Sequence, residues 1–377
     1  MQDLDDGKPV DAIYLDLKKA FDTVPHKRLT NKLKGYGVEG KLLAWVTDFL
    51  TERSQYVNIN GMSSKKVAVT SGVPQGSVLE PILFIYYIND LPDCVNCRTR
   101  IFADDTKAYQ QILTKSDRDS LQNDIDQLVS WTDKWLLKFN SDKCKVLHLG
   151  KNNPNYSYTI CDGNSVNKLE STIAEKDLGV IVDPLLDFDK HITAIVKKAN
   201  SISCMIYRGI NHKVKEIMIP LYKSLIRSVL EYANPVWCPY LRKHIDHIEA
   251  VQRRFTKHII GCTNLTYSER LKFFNLPSLE FRRARGDLIE VYKMMHGFYD
   301  VVTTSSLFDM VEGSVTRGHN LRIKKKRTKT NFYCHFFTNR IVNAWNNLSP
   351  ETVNTSSENA FKGRVDRELK RYMFEIN

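Results

Sequence analysis

A chain of 377 residues has room for two or three domains, at roughly 100–200 residues each. Its 42% hydrophobic and 26% charged residues exclude a disordered or fibrous chain. The net charge of +12 points to a polyanionic partner, nucleic acid before membrane, although the same charge would also serve solubility alone. No apolar run approaches the roughly 20 residues that span a bilayer, and the acidic, polar start MQDLDDGKPV is not a secretory signal. The expectation is therefore an intracellular protein, of nucleus or cytoplasm, without a membrane partner. The eight cysteines are scattered, as reduced thiols would be. Cys94-Val-Asn-Cys97 lacks the second ligand pair that zinc needs, and reads as two free thiols in a loop.

In chain order, Val10–Leu17 carries an Ile13/Leu15 register suited to a strand. Lys27–Leu33 and Lys41–Leu50 read as amphipathic helices broken at Gly35-Tyr36-Gly37. A hairpin follows, with Tyr56–Ile59 and Val67–Val69 on either side of an Asn60-Gly61 turn. Ser71–Ser77 (SGVPQGS) is a Gly/Pro loop that opens an apolar helix over Val78–Leu91. Arg98–Phe102 and Thr106–Ile112 read as strands around Ala103-Asp104-Asp105. Ser116 is placed to cap a helix running to about Phe139. Lys145–Gly150 is a strand, and a small β region with an Asp162-Gly163 turn extends to about Val182.

Beyond Pro184 the pattern turns helical: Ile192–Ile210, Val214–Tyr232, Lys243–Ile260 and Arg282–His296. A domain boundary is expected near 185. Asp300–Gly318 reads as irregular. From Gly313 to Pro350 there is no Asp or Glu, while Arg317, Arg322, Lys324, Lys325, Lys326, Arg327, Lys329 and Arg340 lie in that window. The stretch 317–329 is either a solvated charge run or a nucleic-acid surface. In the second case Phe332, Tyr333, Phe336 and Phe337 would add base stacking to phosphate contacts. An amphipathic stretch, Asn359–Phe374, closes the sequence.

Three aspartates carry the chemical argument. Transfer of a nucleotide to a hydroxyl needs two divalent cations about 3.5–4 Å apart, held by a few carboxylates on rigid supports. Asp16 ends one expected strand and Asp104-Asp105 tips an expected hairpin, so adjacent strands would bring the three side by side. Alone, an Asp-Asp pair is as well explained by the preference of Asp for turns and solvent. The apolar Ile101-Phe102 before it ties the pair to a core element. In Ser71–Ser77 two glycines let backbone approach a ligand closely, and Gln75 can both donate and accept; an ordinary strand-to-helix connection would look similar.

Taken together, these segments resemble the reverse transcriptases of non-LTR (LINE-type) retrotransposons. Tyr14-Leu-Asp-Leu-Lys-Lys-Ala-Phe-Asp22-Thr-Val-Pro-His26 is similar to the first palm motif of that family, and Leu50-Thr-Glu-Arg53 with its hairpin to the connecting segment. Ser71–Ser77 resembles the second palm motif, Phe102–Asp105 the third, Trp135–Lys145 the fourth, and Lys176–Val180 the primer-grip hairpin. Leu225–Trp237 resembles the helical thumb; Arg327–Leu348 and Ala360-Phe-Lys resemble the C-terminal tail. The resemblance implies an α+β fold: a palm of antiparallel sheet and packed helices over 1–184, a helical thumb over 185–298 and a basic C-terminal region over 299–377. It implies an RNA-directed DNA polymerase that uses an RNA template, a DNA primer, deoxynucleoside triphosphates and two Mg2+ or Mn2+ ions. Asp16 and Asp104 would be the main metal ligands, with Asp105 secondary. Phe21 would be the gate against a ribose 2′-hydroxyl, with a core phenylalanine as the plainer reading. Gln75 and Gly76 would meet the nucleotide, and Lys143 would be a general acid to pyrophosphate or a solvated loop lysine. Asp22 is expected to make a structural polar contact. Arg322, Lys324, Lys325, Lys326, Arg327 and Lys329 would bind nucleic acid.

Two departures from the family stand out. The fingers region before the first palm motif, and the endonuclease that precedes it, are not in this sequence, so a truncated copy is expected. Glu80 stands where the family has a glycine, and is expected to strain a tight backbone site. These departures leave open a second reading, a non-catalytic nucleic-acid-binding remnant of a transposable element. A stand-alone metal-dependent nuclease has little support, because no further His/Asp/Glu cluster accompanies the aspartates.

Overall fold

The computed structural model describes residues 2–163, 165–262, 264–311 and 318–374. The chain divides into two compact units, residues 6–175 and residues 1–5 with 176–377.

The first unit is a five-stranded sheet covered by helices. Strand β1 is Val10–Leu15; helices α1 (His26–Gly35) and α2 (Gly40–Leu50) follow. A small β excursion comes next, with β2 (Arg53–Gln55) and β5 (Val67–Val69) flanking the hairpin β3 (Asn58–Ile59) and β4 (Met62–Ser63). Its turn is the expected Asn60-Gly61, at φ 51 and 84, the left-handed pair a two-residue hairpin needs, but Val67–Val69, expected as an arm of that hairpin, pairs instead with Arg53–Gln55. Helix α3 (Leu79–Ile88), strands β6 (Arg98–Phe102) and β7 (Asp105–Gln111), helix α4 (Lys115–Lys134) and strand β8 (Lys145–Leu149) follow. Strands β9 (Thr159–Asp162), β10 (Ser165–Lys168) and β11 (Glu170–Thr172) complete the unit.

The sheet order is β11-β8-β1-β7-β6, so β1 is central. All its pairings are antiparallel except the parallel edge pair β11–β8. Burial of β1 is continuous rather than alternating, because both faces are covered. Ile13 and Leu15 join Leu29 of α1, Phe84 and Tyr87 of α3, and Leu121, Ile125 and Leu128 of α4 in one core.

Three local details differ from the sequence reading. The cap of α4 is Thr114, not Ser116: Thr114 Oγ1 accepts from Asp117 N–H while the Asp117 carboxylate accepts from Thr114 N–H. This reciprocal capping box satisfies two end donors at once, which Ser116 cannot do from inside the first turn. The helix also stops at Lys134, five residues early, because Leu136 turns left-handed at φ 56. Finally, Lys32 faces inward. Its ammonium lies 2.5 Å from both Tyr87 O and Asp90 Oδ1, and 3.8 Å from the Trp135 ring centre. Burial pulls its pKa below the usual value, and Asp90 opposes that shift.

Helix α3 is apolar on every side. Leu83, Phe84, Tyr87 and Ile88 are buried, yet Ile82, Ile85 and Tyr86 face solvent, as do Leu42 and Trp45 of α2. A helix of this kind ordinarily sits between two packed layers.

The second unit is helical. Helix α5 is Asp189–Gly209 and α6 is Lys215–Leu221; a π-turn over Tyr222–Ile226 links α6 to α7 (Arg227–Glu231). Helix α8 is Arg242–Lys257, α9 is Tyr267–Phe274 and α10 is Leu279–Met295. The segment expected to be irregular contains a helix over Val301–Leu307; its residues 312–317 lie outside the described residues. Helix α11 is Glu358–Glu368. Tyr292 of α10 and Phe361 of α11 stack at 4.3 Å within a core shared with Phe337 and Trp345. No helix among the described residues is long and apolar enough to cross a membrane.

His191 in α5 gives this unit a pH dependence. The ring is buried, its Nδ1 accepts from Ile181 N–H at 3.2 Å, and its Nε2 has no partner. Burial pulls the imidazole from 6.5 down to about 4. Between those values the unfolded chain binds the proton and the folded one does not, so stability is complete above about 6.5 and falls as the pH drops toward 4. The expected loss is up to about 3 kcal/mol. Melting curves from pH 7 to pH 4 should show a steeper fall for the native chain than for His191→Gln; parallel curves would contradict this.

Candidate active site

The site is assembled where β1 runs out. Leu15 pairs with Thr106, so the next residues on the two antiparallel strands are Asp16 and Asp105. Asp104 occupies the two-residue turn between β6 and β7, which closes on the Phe102–Asp105 pair. Ala103, the other turn residue, has φ 52. This left-handed conformation costs an L-residue about 1–2 kcal/mol and orients the aspartates beside it. Phe102 is 64% exposed, so β6 projects beyond the core at this end and only Ile101 packs on it.

Lys143 reaches the same place. Leu17 bridges to Phe139, Lys18 N–H donates to Lys138 O, and Asn140 N–H donates to Asp16 O at 2.8 Å. These bonds clip the turn after α4 to the end of β1 and bring Lys143 Nζ to 2.9 Å from Asp16 Oδ2. That oxygen accepts no well-directed hydrogen bond and meets the ammonium as an ion pair. Asp16, and then Asp104 and Asp105, hold the Lys143 pKa above the usual lysine value. Lys143 thus senses the negative charge of all three aspartates.

The donor set fits a hard divalent cation, since all three groups offer carboxylate oxygens. Among the described residues, however, no three of His, Cys, Asp and Glu stand close enough together to hold a metal ion.

The loop Ser71–Ser77 is bound to the turn that follows β1. Gly72 N–H donates to Val24 O and Val73 N–H to Phe21 O, both at 2.8 Å. Ser71 Oγ donates to Asp22 O at 2.9 Å, and the His26 ring meets Gly72 O at 2.9 Å. Gln75 Nε2 donates to Asp22 Oδ1 at 2.9 Å, so Asp22 fixes the Gln75 amide. The Phe21 ring packs on Phe84 at 4.5 Å and is only partly buried. Gly76 N–H donates to Glu80 Oε2 at 2.6 Å. The expected strain at Glu80 is not found: the residue sits in the first turn of α3, without a positive φ, and its carboxylate reaches back to the loop. A carboxylate at a helix start also suits the helix dipole.

The sequence reading missed the Glu80–Gly76 bond, the close approach at Gly72 and the left-handed Ala103. The signal for the first was present, since Gly76 and Glu80 are four residues apart across a helix start. The other two are backbone facts that residue types do not announce.

The basic segment lies in the second unit. Lys324, Lys325, Arg327 and Lys329 are exposed; Arg322 and Lys326 are partly buried, and Lys326 pairs with Asp309 at 3.4 Å. Arg317 lies outside the described residues. Tyr333 and Phe337 are not available for stacking. Both are buried, and Phe337 meets Phe308 edge-on at 5.9 Å in the core. Phe332 and Phe336 instead line a shallow cleft with Tyr240 and His335, whose rings stack at 4.7 Å.

A central strand ending in aspartate beside a hairpin tipped by an Asp pair, with a glycine-bearing loop pinned alongside, is the architecture of a polymerase palm. Residues 6–181 match the family described as reverse transcriptase (RNA-dependent DNA polymerase). The chain is 29% identical over 267 residues to the RNA-directed DNA polymerase from mobile element jockey of Drosophila melanogaster, and 30% identical over 274 residues to its namesake in Drosophila funebris. Each match covers 66% of this chain and 28% of the relative. A third relative, the probable RNA-directed DNA polymerase from transposon X-element of Drosophila melanogaster, is 26% identical over 67% of this chain and 28% of its own length. Residues 6–181 thus resemble a reverse transcriptase domain, and the relatives matched are RNA-directed DNA polymerases of mobile elements. The chain spans little more than a quarter of the length of these relatives. Among solved structures, apo telomerase from Candida tropicalis superimposes with a TM-score of 0.37 at 12% identity, over 71% of this chain and 45% of that one.

Proposed function

We propose that this chain performs template-directed DNA synthesis, adding deoxynucleotides to the 3′-hydroxyl of a DNA primer annealed to an RNA template. The observation that carries this reading is the placement of Asp16, Asp104 and Asp105 at one end of the β1–β7 strand pair, with Lys143 paired to Asp16. Reverse transcriptases use divalent metal ions. In this chain Asp16 and Asp104 would hold them, two in number, with Asp105 assisting. Bound there, Mg2+ or Mn2+ would supply Lewis-acid stabilisation of developing negative charge.

The remaining steps belong to the protein. Lys143, displaced from Asp16, turns to the phosphates; a lysine is protonated at neutral pH, so it arrives as a proton donor for pyrophosphate. Phe21, braced by Phe84, rejects a 2′-hydroxyl by bulk. Gln75, fixed by Asp22, presents its free amide edge to the nucleotide. Gly76 N–H contacts the nucleotide only after leaving Glu80. The test is extension of a DNA oligonucleotide on an RNA template with Mg2+. Synthesis should stop on chelation and return with added metal; no synthesis under either Mg2+ or Mn2+ would refute catalysis.

A second reading, nucleic-acid binding without synthesis, is favoured by the cleft of Phe332, Phe336, Tyr240 and His335 close in sequence to the exposed Lys324, Lys325, Arg327 and Lys329. An unpaired base would stack in the cleft while the lysines meet phosphates. Base stacking on an aromatic ring contributes about 1–3 kcal/mol. Phe336→Ala should then weaken binding of a single-stranded oligonucleotide by roughly 10-fold or more, read by fluorescence anisotropy, without changing its salt dependence. Unchanged affinity would remove the cleft from this reading.

A further inference from the structure

The first strand carries a second array that the carboxylate centre does not use. Asp11 lies opposite His148 in the β1–β8 ladder. Ser171 of β11 pairs with Val146, two residues before His148, so Ser171 and His148 are diagonal neighbours on one face. His148 Nδ1 is 2.7 Å from Asp11 Oδ1, and His148 Nε2 is 3.3 Å from Ser171 Oγ. Asp11 is fully buried, His148 nearly so, and Ser171 is exposed.

The surrounding groups fix the proton positions. Tyr158 O–H donates to Asp11 Oδ2 at 2.6 Å, and Asn153 Nδ2 donates to Asp11 Oδ1 at 2.8 Å. Burial and the neighbouring Asp11 push the Tyr158 phenol well above its ordinary value, so it keeps its proton and stays a donor. With Tyr158 and Asn153 donating to Asp11, the third donor that its side chain faces is His148 through Nδ1–H. The lone pair of Nε2 is then left pointing at the Ser171 hydroxyl. Nucleophile, base and orienting acid stand in the relation that activates a serine, a relation defined by geometry and not by chain order.

We propose that Ser171, His148 and Asp11 form a nucleophilic triad that accepts the acyl group of small activated esters. It is separate from the metal-binding centre: Asp11 and Asp16 are five residues apart on an extended strand, hence on opposite faces and about 17 Å apart. Ser171 Oγ bonds to the ester carbonyl carbon while its proton moves to His148 Nε2. The bond to the leaving alkoxide breaks, and the alkoxide takes that proton. Water, deprotonated by the same nitrogen, then releases the acid and restores Ser171, so ester and water give acid and alcohol. Because Ser171 lies on an edge strand open to solvent, the substrates are small esters with good leaving groups, such as aryl acetates.

The test uses the full chain and a fluorophosphonate probe, in which an Oγ–P bond forms as P–F breaks and His148 takes the proton. Peptide mapping should place the adduct on Ser171 and not on Ser54 or Ser165, which are also exposed. Ser171→Ala should abolish labelling and p-nitrophenyl acetate turnover, and His148→Gln should slow labelling by roughly 100-fold or more. Labelling should also be lost in urea, which tests the array without any substitution. The proposal is overturned if Ser171 in the native chain labels no faster than Ser165, or no faster than in the unfolded chain.

Discussion

Asp104→Asn should reduce primer extension by about a thousandfold or more while leaving the fold intact. The substitution keeps the shape of the turn residue but removes one of the three negative charges that Lys143 senses. A carboxylate that holds a divalent ion at the reacting oxygens supports several kcal/mol of transition-state stabilisation, and about 4 kcal/mol corresponds to that factor. Stability should not fall, because removing a like charge from a crowded group relieves repulsion. Oligonucleotide binding through the second unit should persist. The measurement is single-turnover extension beside a melting curve. Activity within about tenfold of the native chain, at equal stability, would sink the assignment of Asp104.

The second large effect is expected at Gly72. A methyl group there would lie 2.8 Å from Asp22 O, and 2.9 Å from both Asp22 Cα and Phe21 O. These are backbone atoms, which cannot turn aside as a side chain would. The residue also has φ +91, where an L-side chain is strained. Gly72→Ala must therefore push the loop away from Phe21 and Asp22, break the two 2.8 Å backbone bonds, and release Gln75 from its anchor. A loss on the order of 3 kcal/mol is expected in urea denaturation, with extension largely abolished. Gly76→Ala supplies the comparison. Gly76 has φ +81, but a methyl group there would meet nothing within 4 Å, so the substitution should cost only about 1 kcal/mol. Equal losses at the two positions would show that crowding at Gly72 is not the cause.

Much of the palm was legible because its signals are local. Ile13 and Leu15 mark β1, the Asn60-Gly61 turn marks a hairpin, and the apolar stretch before Asp104-Asp105 marks β6. The proximity of Asp16 to the Asp pair followed from strand adjacency alone. Details decided by atoms far apart in sequence were not legible. Lys32 reads as a surface residue of an amphipathic helix until Asp90 and three aromatic rings are seen around it. Thr114 outcompetes Ser116 as a cap because Asp117 can answer it, a reciprocity that residue preference alone does not rank. Tyr333 and Phe337 look like their neighbours Phe332 and Phe336, and only the packing of the second unit separates core from cleft. Ser171 and His148 gave no signal, since their relation depends on a parallel edge pairing.

The outward side of α3, with Ile82, Ile85 and Tyr86 beside Leu42 and Trp45 of α2, has a practical consequence for every solution measurement. Such a surface is adhesive. It should take up hydrophobic dyes, hold detergent and bring chains together as they are concentrated, which would make protein concentration a hidden variable in each titration. Rates and melting points should be compared at one fixed dilution, since an association equilibrium would otherwise pass for a change in activity or stability.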